Sequence, residues 1–186
     1  MVRKESIEAY LQRLSSSDPT PGGGGAAALS GALGCALGRM VANLTIGRRK
    51  YAAVEEEMRE TEQKLRDLEE AFLRLSDSDE EAFSAFMEVL KLPKETEEEK
   101  AVEALRAAVP AAEKGNKNAV SDAGAAANML LSALETGAEN VRINLASMKN
   151  EEERAAFEAR MNALLEEGRV LALRIRETVH GRMAGE

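Results

Sequence analysis

Apolar residues recur along most of the chain at intervals of three and four, the period of an amphipathic α-helix. The clearest series lies between Ala52 and Leu75, where one face is formed by Val54, Met58, Thr61, Leu65, Leu68, Phe72 and Leu75. Six of those seven residues are apolar, and Glu, Lys and Arg occupy much of the rest of the segment. Such a pattern is typical of a helix that contributes a seam to a bundle.

Residues that start and stop helices predict further helices on either side of this one. A short first helix has an apolar face made of Ile7, Tyr10, Leu11 and Leu14, and the run "SSSDPTPGGGG" ends it. A second helix is predicted from near Gly24 or Gly25 to about Ile46. Ser78 with Glu81 has the spacing of a capping box, which predicts a separate helix that runs to about Lys91.

The second half of the chain has the same helical pattern. Thr96 with Glu99 predicts the start of a helix that continues toward Val109, and another is predicted from about Asn118 to Thr136. "VRINLA", residues 141–146, is the one strand-like run, and we interpret it as a short extended link or half-buried turn. A last helix begins after Asn150, with an apolar side formed by Phe157, Met161, Leu164, Leu171, Ile175 and Val179. The sequence therefore predicts an all-α bundle of long antiparallel helices, with residues 1–186 as a single domain.

Composition and charge narrow the functional classes. The 186 residues carry a net charge of −8, and the basic residues are scattered except at Arg48–Lys50, so no basic face for nucleic acid is expected. One cysteine and one histidine cannot form an ordinary structural zinc site, and a lone cysteine favours a reducing, cytoplasmic location. The N-terminus lacks the apolar core of a signal peptide, and the uncharged stretch from Pro19 to Gly38 is too weakly apolar to predict a membrane span.

The stretch from Pro19 to Tyr51 combines four glycines, a glycine-containing helix and three adjacent cations. Glycines before a helix let a ligand approach the first N–H groups, which attract anions, but a flexible turn explains Gly22–Gly25 equally simply. No Lys-Ser or Lys-Thr pair follows, so this is not a Walker phosphate loop. Arg48, Arg49 and Lys50 either cap a helix C-terminus or bind an anionic ligand.

Other residues in and beyond this stretch have structural interpretations. Gly31, Gly34 and Gly38 are costly inside a helix, which predicts close packing by another helix or a symmetry-related copy. Cys35 is predicted to be a small buried hydrophobe. Glu177 and His180 have the spacing of a di-iron motif, but that site needs a second such pair.

Four segments together resemble the cyclodeaminase/cyclohydrolase family, which acts on one-carbon derivatives of tetrahydrofolate. They are "PTPGGGGAAALSGALGCALGRMVANLTIGRRKY", "AFMEVLKLPKETEEEK", "GNKNAVSDAG" and "GAENVRINL". The resemblance implies that the chain binds folate at a homodimer interface and needs no metal or redox cofactor. It favours hydrolysis of 5,10-methenyltetrahydrofolate to 10-formyltetrahydrofolate. The alternatives are release of ammonia from 5-formimidoyltetrahydrofolate by a cyclodeaminase and, without enzymatic activity, a helical dimerisation module.

The same resemblance points to particular residues in the proposed site. Asp122 is the first candidate for proton transfer or for electrostatic stabilisation of the cationic methenyl carbon, although an isolated Asp there is also a typical helix cap. Lys50 and Arg48 are further catalytic candidates, because a desolvated lysine can act as a general acid and an arginine can clamp a carboxylate. The predicted substrate-binding residues are Gly22, Gly23, Gly24, Gly25, Arg49, Asn116, Asn118, Arg142 and Asn144. Turn formation is the alternative role of the two asparagines that precede Asp122.

One segment departs from the family pattern. The family has a long helix between its Val-Pro pair and its Gly-Asn signature, whereas here only "AAEK" separates Pro110 from Gly115. Either the bundle is shortened or the chain is broken in this window. In the shortened case we expect Pro110 to end the preceding helix, residues 111–114 to form a tight link, and the folate site to be more open and weaker in binding.

Overall fold

The computed structural model describes residues 4–17, 21–85, 96–146 and 148–185, and every regular element in those ranges is helical. This confirms the predicted all-α class. The α-helices are α1 (Ile7–Leu14), α2 (Gly23–Thr45), α3 (Glu55–Ala85), α4 (Glu97–Lys114), α5 (Val120–Leu145) and α6 (Glu151–Ala184). Two 3₁₀ segments, Arg49–Val54 and Lys117–Ala119, precede α3 and α5.

Helix α2 packs closely against α3 and α5, and its glycines make this possible. A Cβ atom added to Gly31 would lie 2.7 Å from the Phe72 ring, and one added to Gly38 would lie 2.8 Å from Leu65, both on α3. At Gly34 it would lie 2.7 Å from Leu130 of α5. The prediction that these glycines admit neighbouring helices is confirmed. The partners belong to the same chain.

Helix α2 is also long and apolar enough, by length and composition, to cross a membrane. Within its most apolar window, however, 56% of the helix is buried inside the bundle, as in the core helix of a soluble protein. Cys35 lies in that buried part with no exposed surface. Burial raises the pKa of its thiol to about 12, so the thiol stays protonated, and the prediction of a small buried hydrophobe is confirmed.

Helix α4 runs parallel to α6 and is joined to it by three ion pairs, in which the acidic residue lies alternately on α4 and on α6. Each pair connects residues 61 positions apart, and successive pairs are seven residues apart: Glu99–Arg160, Arg106–Glu167 and Glu113–Arg174. The buried positions of α6 follow the same seven-residue repeat: Met161, Leu165, Gly168, Ala172, Ile175 and Val179. A constant offset with alternating charges fixes the register of the two helices. Three of the six residues predicted on this apolar side are therefore buried, while Phe157, Leu164 and Leu171 are half-buried.

Two predicted helix starts are confirmed by their caps. Thr96 and Glu99 form the predicted capping box, with each side chain accepting a hydrogen bond from the other's backbone N–H. Asn150 caps α6, since its Oδ1 accepts from the N–H groups of Glu152 and Glu153. Local side-chain chemistry was sufficient at both places.

Three predicted boundaries were wrong, because packing sustains a helix through a weak local signal. Helix α3 continues through Ser78 to Ala85, where no glycine or proline interrupts it; the predicted end near Lys91 lies outside the described residues. Residues 141–145, read as an extended link, form the last turn of α5, anchored by buried Leu145. Pro110 lies inside α4, because buried alanines on both sides hold the helix together: Ala107, Ala108, Ala111 and Ala112.

Candidate functional site

The end of α2, the end of α4 and the start of α5 meet at one end of the bundle, which we call the basic end. It comprises residues 44–51 and 115–122. Helix α2 stops at Thr45 because Gly47 adopts a left-handed conformation (φ 73°) that turns the chain into the 3₁₀ segment. Helix α4 stops at Gly115, and the short Lys117–Ala119 turn leads into α5. Two of the segments that carry the family resemblance are therefore neighbours.

Hydrogen bonds join these two segments directly. The Asn116 backbone N–H donates to Thr45 Oγ1 at 2.7 Å, and its side-chain Nδ2 donates to the Leu44 carbonyl at 2.8 Å. The Lys117 N–H donates to the Tyr51 hydroxyl at 2.9 Å, and that hydroxyl makes a longer contact of 3.4 Å with Asn116 Oδ1. Backbone groups that a helix end leaves without partners are thus satisfied across the junction.

Close packing sets the position of the turn as well. A Cβ atom on Gly115 would lie 2.3 Å from the Ala111 carbonyl oxygen and 2.8 Å from Val41 Cγ1, so this position requires glycine. The guanidinium of Arg182, near the end of α6, donates to the carbonyl oxygens of Ala112 and Gly115. The turn is therefore held between α2 on one side and α6 on the other.

The three predicted cations lie at this end with their charges uncompensated. Arg48, Arg49 and Lys50 are exposed and form no ion pair with the part of the chain that the structure describes. The Lys50 Nζ lies 5.6 Å from the centroid of the Tyr51 ring, within the range of a cation–π contact. An end of the bundle with three unpaired cations is suited to binding an anion.

Asp122 lies in the first turn of α5 and is half-buried. It is not the helix cap: the N-cap residue is Ala119, and the preceding 3₁₀ turn is capped by Asn116, whose Oδ1 accepts from the Asn118 N–H. Among the described residues no side chain forms a hydrogen bond or ion pair with the Asp122 carboxylate. It is consequently available to a ligand, and its catalytic role stays a prediction.

The two asparagines of the second segment have different surroundings. The Asn116 side chain is fully engaged with Leu44, Asn118 and Tyr51, so its geometry is that of turn formation, the alternative role considered from the sequence. The Asn118 side chain is exposed and has no hydrogen bond within the described residues. Of the two, Asn118 has the amide that can contact a ligand.

The remaining predicted residues lie at the other end of the bundle. Arg142 follows Asp122 by twenty residues on α5, which places it about 30 Å away along the helix axis. The glycines Gly22–Gly25 begin α2 at this same end, where a Cβ on Gly23 would contact the side chain of Asn140 at 3.0 Å. We call residues 22–25 and 140–144 the glycine end. Within one chain the predicted site residues therefore form two separate groups, one at the basic end and one at the glycine end. Asn144 belongs to the group at the glycine end.

A surface cavity of about 380 Å³ lies near the glycine end, between α5 and α6. Four of its lining residues are charged, but they neutralise one another in the ion pairs Glu135–Arg169 and Glu139–Arg142. Among the described residues that line it, no charge is left without an ion-pair partner. At the basic end, by contrast, three exposed cations and the Asp122 carboxylate have no ion-pair partner among the described residues.

Sequence reasoning gave no role to Thr45, Tyr51 or Lys117, although all three lie within the segments that carry the resemblance. Tyr51 follows Lys50, a predicted catalytic residue, and Lys117 follows Asn116, a predicted substrate-binding residue. The sequence feature that could have indicated Thr45 is its position as a polar residue at the end of a long apolar helix. In the structure Thr45 is only 1% exposed. A buried hydroxyl in such a position needs a partner.

Comparison with known proteins gives concordant results. The sequence model of the formiminotransferase-cyclodeaminase family matches residues 6–108 and 99–163. A protein of Methylorubrum extorquens named methenyltetrahydrofolate cyclohydrolase is 41% identical over 210 aligned residues, covering 98% of this chain and 100% of that protein. The mouse formimidoyltransferase-cyclodeaminase is 32% identical over 195 residues, covering 90% of this chain and 35% of that longer protein. The crystal structure of formiminotetrahydrofolate cyclodeaminase from Thermotoga maritima has a TM-score of 0.74 at 28% identity, covering 100% of this chain and 98% of that one.

The comparisons also bear on the short connection after Pro110. The two ranges that match the family model overlap at residues 99–108. Such an overlap is expected when a chain lacks a segment that the family model contains. The alignment with the Methylorubrum protein has 210 positions, and this chain has only 186 residues. This chain therefore has gaps at 24 or more of the aligned positions. Helix α4 runs unbroken from Glu97 to Lys114, and that the bundle is shortened here stays a prediction. That the site is more open as a result stays a prediction.

Proposed function

The chain belongs to the formiminotransferase-cyclodeaminase family, and we propose that it hydrolyses 5,10-methenyltetrahydrofolate to 10-formyltetrahydrofolate in a cytoplasmic setting. The observation that carries this proposal is the 41% identity, across the whole length of both chains, to a protein named methenyltetrahydrofolate cyclohydrolase. The exposed cations and the unpartnered Asp122 at the basic end support it, because the substrate combines a cationic reacting carbon with an anionic glutamate tail.

The proposed reaction adds water to the methenyl carbon between N5 and N10. A new C–O bond forms as the water gives up one proton. The tetrahedral intermediate then breaks its C–N5 bond, its hydroxyl proton is lost while N5 takes up a proton, and a formyl group is left on N10, so that one proton is released overall. The Asp122 carboxylate either accepts the proton from water or stabilises the positive charge of the carbon before attack. Arg48, Arg49 and Lys50 would bind the glutamate carboxylates, and Asn118 would donate to the pterin edge.

The deciding experiment is a pair of assays on the purified protein. Hydrolysis is followed by the loss of methenyl absorbance, and ammonia release is measured separately from 5-formimidoyltetrahydrofolate. We expect hydrolysis. Ammonia release alone would make the protein a cyclodeaminase, the second candidate, which the structural similarity to the Thermotoga enzyme supports. No activity, together with no heat on titration with tetrahydrofolate, would favour a dimerisation module.

Removing a cation from the basic end should weaken folate binding more than it weakens the fold. We expect Arg48→Ala and Lys50→Ala each to raise KM by about fivefold to tenfold, the loss of roughly one charge-assisted hydrogen bond. The control is Arg176→Ala, because Arg176 is also exposed but lies on α6. Equal KM values for the wild type and both basic-end variants would remove these residues from the site.

We further propose that the active protein is a homodimer in which two copies pair through the outer face of α2. That face is apolar and is not covered by the part of the chain that the structure describes: Leu33, Met40 and Leu44 are 52%, 40% and 38% exposed. A helix that is apolar on all sides normally has neighbours on all sides. If the two-fold axis is perpendicular to α2, the two α2 helices run antiparallel, and the glycine end of one copy approaches the basic end of the other. Such pairing would bring Gly22–Gly25 near the cations.

A charge on this face should therefore separate the dimer. We expect Leu33→Glu to convert the protein from dimer to monomer in analytical ultracentrifugation. The variant should also lose most of its turnover, because each active site would lose the residues that the second copy of the chain contributes. Leu173→Glu is the matched control, because Leu173 is 49% exposed but lies on α6. Dissociation of the Leu173→Glu protein with an intact Leu33→Glu dimer would move the interface to α6.

A further inference from the structure

We propose that Thr45 and Tyr51 are positioning residues, which hold the turn at Asn116 and Lys117 in a fixed place relative to the basic triplet Arg48–Lys50. Neither side chain is assigned a contact with substrate. The effect on turnover rests on the function proposed above, whereas the effect on the turn itself does not.

The amides at the start of the turn have distant partners. N–H groups at the beginning of a helix are usually satisfied by a side chain a few residues away. Here the Asn116 N–H donates to a residue 71 positions earlier in the chain, and the Lys117 N–H to one 66 positions earlier. A local cap would satisfy the same groups, so what the distant partners add is a fixed relative position of the two segments.

The Thr45 hydroxyl both donates and accepts a hydrogen bond. Its single proton is donated to the Val41 carbonyl at 2.7 Å, one turn back along α2. A lone pair of the same oxygen is thereby left for the Asn116 N–H. Because the side chain is only 1% exposed, no water replaces this acceptor easily if the hydroxyl is removed.

Tyr51 contacts both parts of the site. Its hydroxyl accepts from the Lys117 N–H, and the face of its ring lies 5.6 Å from the Lys50 ammonium. Arg48, Arg49 and Asp122 form no hydrogen bond or ion pair with one another in the described part of the chain. The side-chain links from the cations' segment to the start of α5 are therefore those of Tyr51 and Thr45, beside the hydrogen bond from Asn116 Nδ2 to the Leu44 carbonyl. Misplacement of reacting groups by about 1 Å can cost roughly a hundredfold in rate, so such a link matters.

The first test compares three threonine variants. Thr45→Val removes the acceptor, Thr45→Ser keeps it, and Thr178→Val is the matched control, because the Thr178 hydroxyl also donates to a carbonyl four residues earlier. We expect amide hydrogen exchange at Asn116 and Lys117, resolved by NMR, to rise about tenfold in Thr45→Val only. We expect kcat to fall by about tenfold in the same protein. Thr45→Ser should stay within about twofold of the wild type.

Tyr51→Phe is the second test, and it keeps the ring under Lys50 while removing the hydroxyl. We expect faster exchange at Lys117, a lower kcat and little change in melting temperature. A double variant with Lys50→Ala should be less impaired than the product of the two single effects predicts, because both changes act on one unit.

Two outcomes would overturn the inference: unchanged exchange at both amides in Thr45→Val and Tyr51→Phe, or unchanged kcat in both with an active wild type. A wild-type protein that is inactive on both folates would refute the proposed function instead. The exchange rates would then still decide whether Thr45 and Tyr51 hold the turn.

Discussion

Asp122→Asn is expected to keep the fold and the dimer and to lower turnover by about tenfold to a thousandfold, the range for losing an acid–base or electrostatic group. Asparagine has nearly the same shape but no charge and no basic oxygen. The carboxylate has no partner in the described structure, so its replacement leaves no protein group unsatisfied. The fold loses only the attraction between the carboxylate and the N-terminus of α5, about 0.3–1 kcal/mol.

The control for this prediction is Glu152→Gln, which removes an exposed carboxylate from the first turn of α6. Both variants should lose a similar small amount of stability, and only Asp122→Asn should lose turnover. If Asp122→Asn lowers the melting temperature and leaves kcat unchanged, the carboxylate acts on the helix dipole alone.

The relative affinity for the methenyl substrate and for the formyl product separates the two roles proposed for Asp122. A carboxylate that only stabilises the cationic carbon should affect the affinity for the methenyl substrate more than the affinity for the neutral product. Comparison of the two dissociation constants measures that difference.

The start and end of several helices could be predicted because local chemistry determines them. Thr96 and Asn150 are caps whose partners lie two or three residues away. The breaks on either side of α2 similarly follow from its flanking glycines. The prediction that Pro110 ends a helix was wrong, although its premise holds: proline costs about 3 kcal/mol inside a helix. Burial of the alanines around it, which the sequence does not display, outweighs that cost.

The candidate site was predictable only in part. The resemblance led to Asp122 and to the basic triplet, and the fold brings both to one end of the bundle. It could not indicate that Gly22–Gly25 and Arg142 lie about 30 Å from Asp122 in the same chain. The separation of Arg142 depends on α5 continuing to Leu145, and that of the glycines depends on α2 and α5 being antiparallel. Thr45 and Tyr51 were missed for the same reason: their partners are 66 and more residues away.

The second large effect concerns stability: Gly34→Val should lower the free energy of unfolding by about 3 kcal/mol. A Cβ atom at this position would lie 2.7 Å from Leu130 Cγ and 3.1 Å from the Ala126 carbonyl oxygen. Leu130 is completely buried, and Ala126 contributes a backbone atom of α5, so neither can move aside without separating two core helices. For a chain of this size that loss lowers the melting temperature by roughly 6–12 °C.

Two controls isolate packing from the intrinsic helix preference of the new side chain. Ala163→Val adds a branched residue at an exposed position of α6 and should cost only about 0.5 kcal/mol. Gly124→Ala should instead stabilise the protein by up to about 1 kcal/mol, because its Cβ would lie 3.5 Å from Val179, an ordinary contact distance. Unfolding in urea at one protein concentration measures all three, since dimer stability depends on concentration. If Gly34→Val costs no more than Ala163→Val, the close approach of α2 to α5 at Gly34 is not a source of stability.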